Sequence, residues 1–168
     1  MTIQIRSERP ADIPAIAAVT REAFLTEEHS SHTEHHIVNA LREAGVLSLS
    51  LVAERDGVVI GHASMSPVTL SQGESAWYGL APVSVLPAYQ RQGIGSLLIR
   101  QLLEQLQALG AAGCVVLGDP GYYGRFGFKA RDGLLLPGVP AEYFQALSFD
   151  GSSPRGEVRF HDGFDAKG

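Results

Sequence analysis

The sequence predicts an α/β domain, and three observations carry that reading. Segments with strand-type alternation are interleaved with segments whose apolar residues recur at helical spacing, in the order β-α-α-β-β-β-α-β-α-β-β. A length of 168 residues, with 45% hydrophobic and 18% charged content, suits one domain over residues 1–168 with a real core rather than a disordered chain. Finally, an apolar strand runs directly into a glycine-bearing turn that opens a long apolar helix.

Each element has its own local reason. Ile3 and Ile5 alternate with polar residues, as an opening strand should. Ile13, Ile16, Ala17, Thr20, Ala23 and Phe24 mark a helix from Asp12 to Phe24. Ser31 and Glu34 have capping-box spacing for a second helix that holds Ile37, Val38 and Leu41 and is ended by Gly45. Leu49–Ala53 and Val58–Pro67 read as strands joined at the hairpin dipeptide Asp56-Gly57. Ala76–Leu86 is the next strand. Ser96–Leu109 follows as a long helix with Leu97, Leu98, Leu102, Leu103 and Leu106 on its apolar side and Gly110 past its end. After the strand Cys114–Leu117, Asp119 suits an N-cap and Pro120 a first helical position, so a short helix carries Tyr123. A strand from 128 to 136, a loop at Pro137–Pro140, a brief helix at Glu142–Leu147 and a strand at Gly156–Phe160 complete the order. The segment after His161, with Gly163 and Gly168, is expected to fray and is given no function.

Composition narrows the function classes. Thirteen basic against eighteen acidic residues give a net charge of −5, which argues against a nucleic-acid partner and fits, weakly, a cationic substrate. No apolar run approaches the roughly 18 residues of a membrane span. Residues Met1–Arg6 lack the apolar region of a signal peptide. The expected setting is therefore cytoplasmic, with no membrane partner; a homodimer is compatible with this reading. Cys114 is the only cysteine, so no internal disulfide forms. It reads as a small buried side chain, because nothing nearby in sequence activates it.

Two segments carry chemistry. Residues 83–98 place Gln90, Gly93 and Gly95 in a Q-x-x-G-x-G pattern between a strand and a helix. The first helical N–H groups have no partner within the helix and the dipole favours negative charge there, so such a turn is an anion site. It is not a Walker A loop, since no G-K-[ST] follows, and Leu98 stands where a dinucleotide fingerprint needs glycine. The second segment, residues 115–128, places Gly127 and Phe128 four and five residues after Tyr123.

In this order, the two motifs resemble those of the GNAT acyltransferase superfamily. The longer runs Tyr-Gly-Leu-Ala-Pro-Val-Ser-Val-Leu-Pro-Ala-Tyr-Gln-Arg-Gln-Gly-Ile-Gly and Leu-Gly-Asp-Pro-x-Tyr-Tyr-x-Arg-Phe-Gly-Phe are similar to a bacterial branch of N-acetyltransferases within it. Gly61-His62-Ala63 and Ser66-Pro67-Val68 fit the same branch. The resemblance implies a mixed, splayed central sheet with helices on both faces, acetyl-CoA as cosubstrate and no metal. It implies that Gln90, Arg91, Gln92, Gly93, Ile94, Gly95 and Ser96 hold the pyrophosphate. Val83, Ser84 and Val85 would offer main chain to the pantetheine amides, with an N–H near Val85 on the thioester carbonyl. Asp119 and Gly121 would stand where many members use an asparagine on the pantetheine arm, and Tyr123 would protonate the leaving sulfur. A bulge that opens the strand edge is expected near Leu86-Pro87, since proline cannot donate to a ladder.

The activity implied is direct acetyl transfer, in a ternary complex, to a primary amine, with a small molecule preferred over a protein amine. A non-catalytic acyl-CoA sensor and a protein lysine or N-terminal acetyltransferase are the alternatives; a sensor has no need of Tyr123. The general base is not legible: Ser84, His62, Glu27, Glu28 and Glu74 are candidates, with His62 read as a packed or solvent-facing strand residue. Residues 27–36 hold His29, His32, His35 and His36. A zinc or nickel site there lacks a supporting Cys or H-E-x-x-H pattern, and a solvated helix start is the simpler reading. In GNAT proteins the segment between the first two helices borders the acceptor pocket, which gives residues 27–36 a third reading.

Overall fold

In the computed structural model, which describes residues 2–27 and 30–167, the central hairpin is fixed by its turn. Asp56 and Gly57 have φ of 51° and 81°, as a two-residue type I′ connection requires. β1 (Ile3–Ser7) pairs antiparallel with β2 (Leu49–Arg55), and β2 with β3 (Val58–Pro67). A two-residue strand, β4 (Thr69–Leu70), leaves this sheet for a second one. β5 (Trp77–Val85) returns antiparallel to β3, β6 (Gly113–Leu117) is parallel to β5, β7 (Leu134–Leu135) joins the second sheet, and β8 (Phe144–Ser148) is antiparallel to β6. With β9 (Gly156–Arg159), the result is a mixed six-stranded sheet in the order β1-β2-β3-β5-β6-β8 and a small sheet β4-β9-β7.

Helices cover both faces of the large sheet. α1 (Ile13–Phe24) and α2 (Glu34–Glu43) place Ile16 and Val38 on Val52. α3 (Ile94–Ala108) lies on the other face. Its residues Leu98, Leu102 and Leu106 recur every four positions, form one stripe and are fully buried against Leu51, Ala53, Ile60 and Met65. Each such leucine contributes about 1.5–3 kcal/mol of burial. Leu97, expected on the same side, is 46% exposed because it lies about 100° around the helix from Leu98.

Several local expectations yield to tertiary structure. α2 starts at Glu34 with Thr33 as N-cap, so Ser31 and Glu34 form no capping box; Ser30 Oγ instead donates to the Glu34 carboxylate at 2.7 and 2.8 Å. The strand expected over 128–136 is cut to β7 by a turn at Gly133 (φ 79°), with Lys129 keeping one isolated bridge to Ala146. Residues 144–148 form β8 rather than a helix. Its first three residues are buried, so the alternation that betrays a half-buried strand is missing. The tail forms a turn over Asp162–Asp165 that packs on the domain. Gly163 packs so closely on α2 that a Cβ there would lie 2.9 Å from Leu41 Cδ2, and the Phe164 ring stands edge-on to Phe160 at 4.9 Å.

The feature that matters most is the gap between β5 and β6. Their parallel pairing covers only Trp77, Tyr78 and Gly79 against Gly113, Cys114 and Val115. Gly113 allows that close start, since any side chain there would collide with the Trp77 ring. Beyond Gly79 the strands part. The bulge lies at Ala81-Pro82, not at Leu86-Pro87: Ala63 faces Val83 while Met65 faces Leu80, so β5 carries one extra residue. Leu86 N–H still reaches Ile60 O at 2.9 Å, so the ladder with β3 is intact there. Pro82 has no N–H to contribute, and Ser64 Oγ donates to the freed Ala81 carbonyl at 3.2 Å.

Candidate active site

The exposed edge of β5 follows from hydrogen-bond alternation. Leu86 N–H points at β3, so Ser84 does too, and the main-chain groups of Val83 and Val85 point into the gap. The Val85 carbonyl accepts the Gln90 side-chain amide at 2.9 Å, which ties the loop to the strand. Gly93, at φ 84°, is the N-cap residue of α3 and supplies no side-chain cap. A Cβ on it would meet nothing within 4 Å. The first helical bond runs from Leu97 N–H to Gly93 O, which leaves the N–H groups of Ile94, Gly95 and Ser96 without helical acceptors. These residues, with Arg91, Tyr122 and Arg125, line a groove of about 390 Å³. Tyr122 spans it: its hydroxyl is 3.4 Å from Ser96 Oγ, and Arg125 stacks over its ring at 4.5 Å.

A second cavity, about 840 Å³, opens from the other end of the gap. It is lined by Phe24, Glu27, Glu34 and Ile37 from α1, α2 and the segment between them, by Pro82 and Val83 of β5, and by Phe160 and Phe164 of the C-terminal segment. Glu27, Val83 and Tyr123 line both cavities. Tyr123 sits there because α4 (Pro120–Tyr123) is short and firmly capped, with Asp119 Oδ1 accepting Gly121 N–H at 2.9 Å. Its ring lies against Gly118, where any Cβ would collide with it, and edge-on to Phe128 at 6.0 Å. Burial, with smaller effects from Tyr122 and Cys114, pushes the Tyr123 phenol up to about 12, so the hydroxyl keeps its proton at neutral pH.

The Acetyltransferase (GNAT) family model matches residues 13–128. The chain belongs to the GNAT acetyltransferase family. It is 42% identical over 126 residues to the uncharacterized N-acetyltransferase YhbS of Escherichia coli K12, covering 74% of this chain and 72% of that protein. A GNAT family acetyltransferase from Brucella melitensis, solved in complex with acetyl-CoA, is 51% identical and superposes with a TM-score of 0.88 over 98% of this chain and 99% of its own. Escherichia coli YhbS, solved in complex with CoA, is 38% identical with a TM-score of 0.88, over 99% of this chain and 93% of its own.

Within this GNAT fold the expected site residues separate. Val83, Val85, Gln90, Arg91, Gly93, Ile94, Gly95 and Ser96 converge on the groove. Ser84 does not: its side chain is buried on the face under α1 and α2, opposite His62, and its main chain faces β3. Gln92 is exposed and turns its amide back to Ala88 O at 3.4 Å. Gly121 gives its N–H to Asp119, and Asp119 lines the second cavity. His62 is fully buried. Its Nε2 lies 2.8 Å from Ser50 Oγ, and Ser50 in turn donates to Glu8, which Arg42 holds at 2.9 Å. Burial, opposed by Glu8, brings His62 down to about 4. It is a neutral core residue, outside both cavities.

Among the other base candidates, Glu74 lines a separate depression beside β4, and Glu28 lies outside the described residues. Cys114 is fully buried and its thiol pushed up by desolvation, which removes it as a nucleophile. Among the described residues no group of three or more His, Cys, Asp and Glu side chains could hold a metal ion; His29 lies outside them. No helix of the described residues is long and apolar enough to cross a membrane. Sequence reasoning missed Gly118, Phe24, Phe160 and Phe164. Only Gly118, next to the Asp-Pro helix start, carried any local signal.

Proposed function

We propose that the protein moves the acetyl group of acetyl-CoA to a small-molecule primary amine, by direct attack with both substrates bound. As a GNAT acetyltransferase it is an acyltransferase that uses acetyl-CoA as donor. The observation that carries the amine reading is the shared wall: Val83, Tyr123 and Glu27 line both cavities, so a donor in one can meet an acceptor in the other.

The residues present fit the donor. The free amides at the start of α3 suit a pyrophosphate, and Gly93 leaves the space that a close approach needs. Val83 and Val85 offer main chain to an extended amide-bearing arm, as an added strand would use it. An N–H of this edge would polarise the thioester carbonyl. The amine nitrogen forms its bond to the carbonyl carbon as the carbon–sulfur bond breaks, Tyr123 gives its proton to the departing sulfur, and the proton that the nitrogen sheds on becoming an amide returns, directly or through water, to the Tyr123 phenolate. Glu27, which lines both cavities, would receive the ammonium proton, directly or through a water, before attack.

The cleft's dimensions and its wall from the C-terminal segment support a small acceptor over a protein one. The test is incubation with acetyl-CoA and panels of amines, amino acids, aminoglycosides and lysine peptides, with mass spectrometry of the products. The expected outcome is a singly acetylated small amine. Acetylated peptide alone would replace this acceptor assignment, and CoA binding with no acetylated product in any panel would defeat the transfer itself.

A further inference from the structure

The acceptor cleft has a chemical asymmetry. Its charged lining groups, among the described residues, are Glu27, Glu34 and Asp119; no lysine, arginine or histidine is among them. Asp119 is engaged as the α4 cap. Glu34 is held by Ser30 Oγ, so its carboxylate is fixed at the helix start rather than free to swing away. The remaining walls are apolar and aromatic, with Phe24 from α1, Ile37 from α2, and Phe160 and Phe164 from the C-terminal segment.

That segment is built in rather than draped. The turn Asp162–Asp165 is capped by His161 Nδ1, which accepts Gly163 N–H at 2.9 Å. Gly163 seats against Leu41, and Phe160 braces Phe164. A ligand carboxylate would meet no cation among the described residues of this space and would face three carboxylates; burial of an unpaired charge is costly. A polyamine would have to desolvate its further charges along the apolar lining of Ile37, Leu80, Pro82 and Val83, because Asp119 already caps α4 and Glu34 is already held by Ser30. An amine with one positive charge and an apolar body matches both kinds of lining group, the carboxylates and the apolar side chains.

Resting on the acetyl-transfer reading, we infer that the cleft takes a monocationic primary amine with an apolar, aromatic body, and that the C-terminal turn carrying Phe164 is the wall that selects it. The lining carboxylates orient the amine and Phe24, Phe160 and Phe164 hold the body.

Three probes separate the alternatives: phenethylamine, L-phenylalanine, which adds only a carboxylate to the same body, and spermidine. Each is measured twice on the full chain, as kcat/KM with acetyl-CoA and as binding to the CoA-loaded protein by NMR titration. Phenethylamine is expected to exceed the other two by about a hundredfold, which corresponds to about 2.8 kcal/mol. Phe164→Ala should shrink the preference for phenethylamine over ethylamine about tenfold, and Phe164→Leu serves if the alanine variant does not fold. Glu34→Gln should raise the phenethylamine KM with CoA affinity unchanged. Parity with L-phenylalanine or spermidine, or a preference untouched by the Phe164 variants, overturns the inference. So does failure of phenethylamine to bind. Acetylation of other amines but not phenethylamine sinks the inference while leaving the transfer reading intact; phenethylamine that binds but is never acetylated does the reverse.

Discussion

The two cavities that meet at Tyr123 are made of different material. The groove at the start of α3 is lined in large part by main chain: the edge of β5, the left-handed Gly93 and three N–H groups without helical acceptors. The cleft on the other side is lined by side chains brought from α1, α2, β5, β6 and the C-terminal turn. Backbone cannot be changed by substitution except where glycine is required, so the groove tolerates few local edits. Side chains can be exchanged one at a time, so the cleft can be retuned with the groove left intact. The groove and the cleft thus differ in how readily substitution can alter them.

The largest effect is expected where the two meet. Tyr123→Phe removes one hydroxyl and little volume, and loss of a general acid costs about 10²–10⁴ in rate, read in kcat with CoA affinity kept. Tyr122→Phe, on the groove side, should cost far less in kcat. The reverse ranking in steady-state kinetics would show that the proton comes from Tyr122 instead. Next comes the backbone side alone. Gly93→Val puts a branched Cβ into the space above the free amides and strains φ 84°. Two lost charge-assisted hydrogen bonds at about 1.5–3 kcal/mol each weaken CoA by roughly a hundredfold or more. Calorimetry checks the affinity and circular dichroism the fold; unchanged affinity would remove the loop from the donor site.

The smallest effect on function is expected at His62, which lines neither cavity. Its folded value is about 4 against an ordinary 6.5, so between those pH values the unfolded chain binds a proton that the folded one refuses. Stability therefore falls as pH drops from about 6.5 to about 4. Asp12, hydrogen-bonded by Arg6 and brought down to about 2 from 3.8, adds a further loss below pH 4. In urea titrations across pH, His62→Gln should flatten the upper part of that slope and leave the lower part. A KM change for either substrate at neutral pH would show that the buried network reaches the site after all.

How much of this was legible in the sequence follows the same division. The Asp56-Gly57 turn, the Asp119-Pro120 helix start and the glycines before α3 are local signals with local causes, and they located the groove at the start of α3 and the short helix that carries Tyr123. The walls of the second cavity were not legible, because Phe24, Ile37 and the Phe160–Phe164 segment lie far apart in sequence, the first two look like ordinary helix core and Phe164 lies in a tail expected to fray. β8 was hidden by burial on both of its faces. Ser84 looked like part of the exposed edge until the position of the bulge showed which way it turns. Glu27 was one base candidate among five by sequence, and only its place on both cavities distinguishes it.

The extra residue at Ala81-Pro82 sets the phase of everything after it in β5. A strand alternates with period two, so one residue more or less exchanges its two faces and its two hydrogen-bonding edges. Were Pro82 deleted, Ser84 would present its amide to the gap and turn its hydroxyl toward α3, while Val83 and Val85 would swing under α1 and bond to β3. The sheet could close up with every strand still in its place. The enzyme's working surface is thus written in a single count: whether the distance from Leu80 to the groove is odd or even.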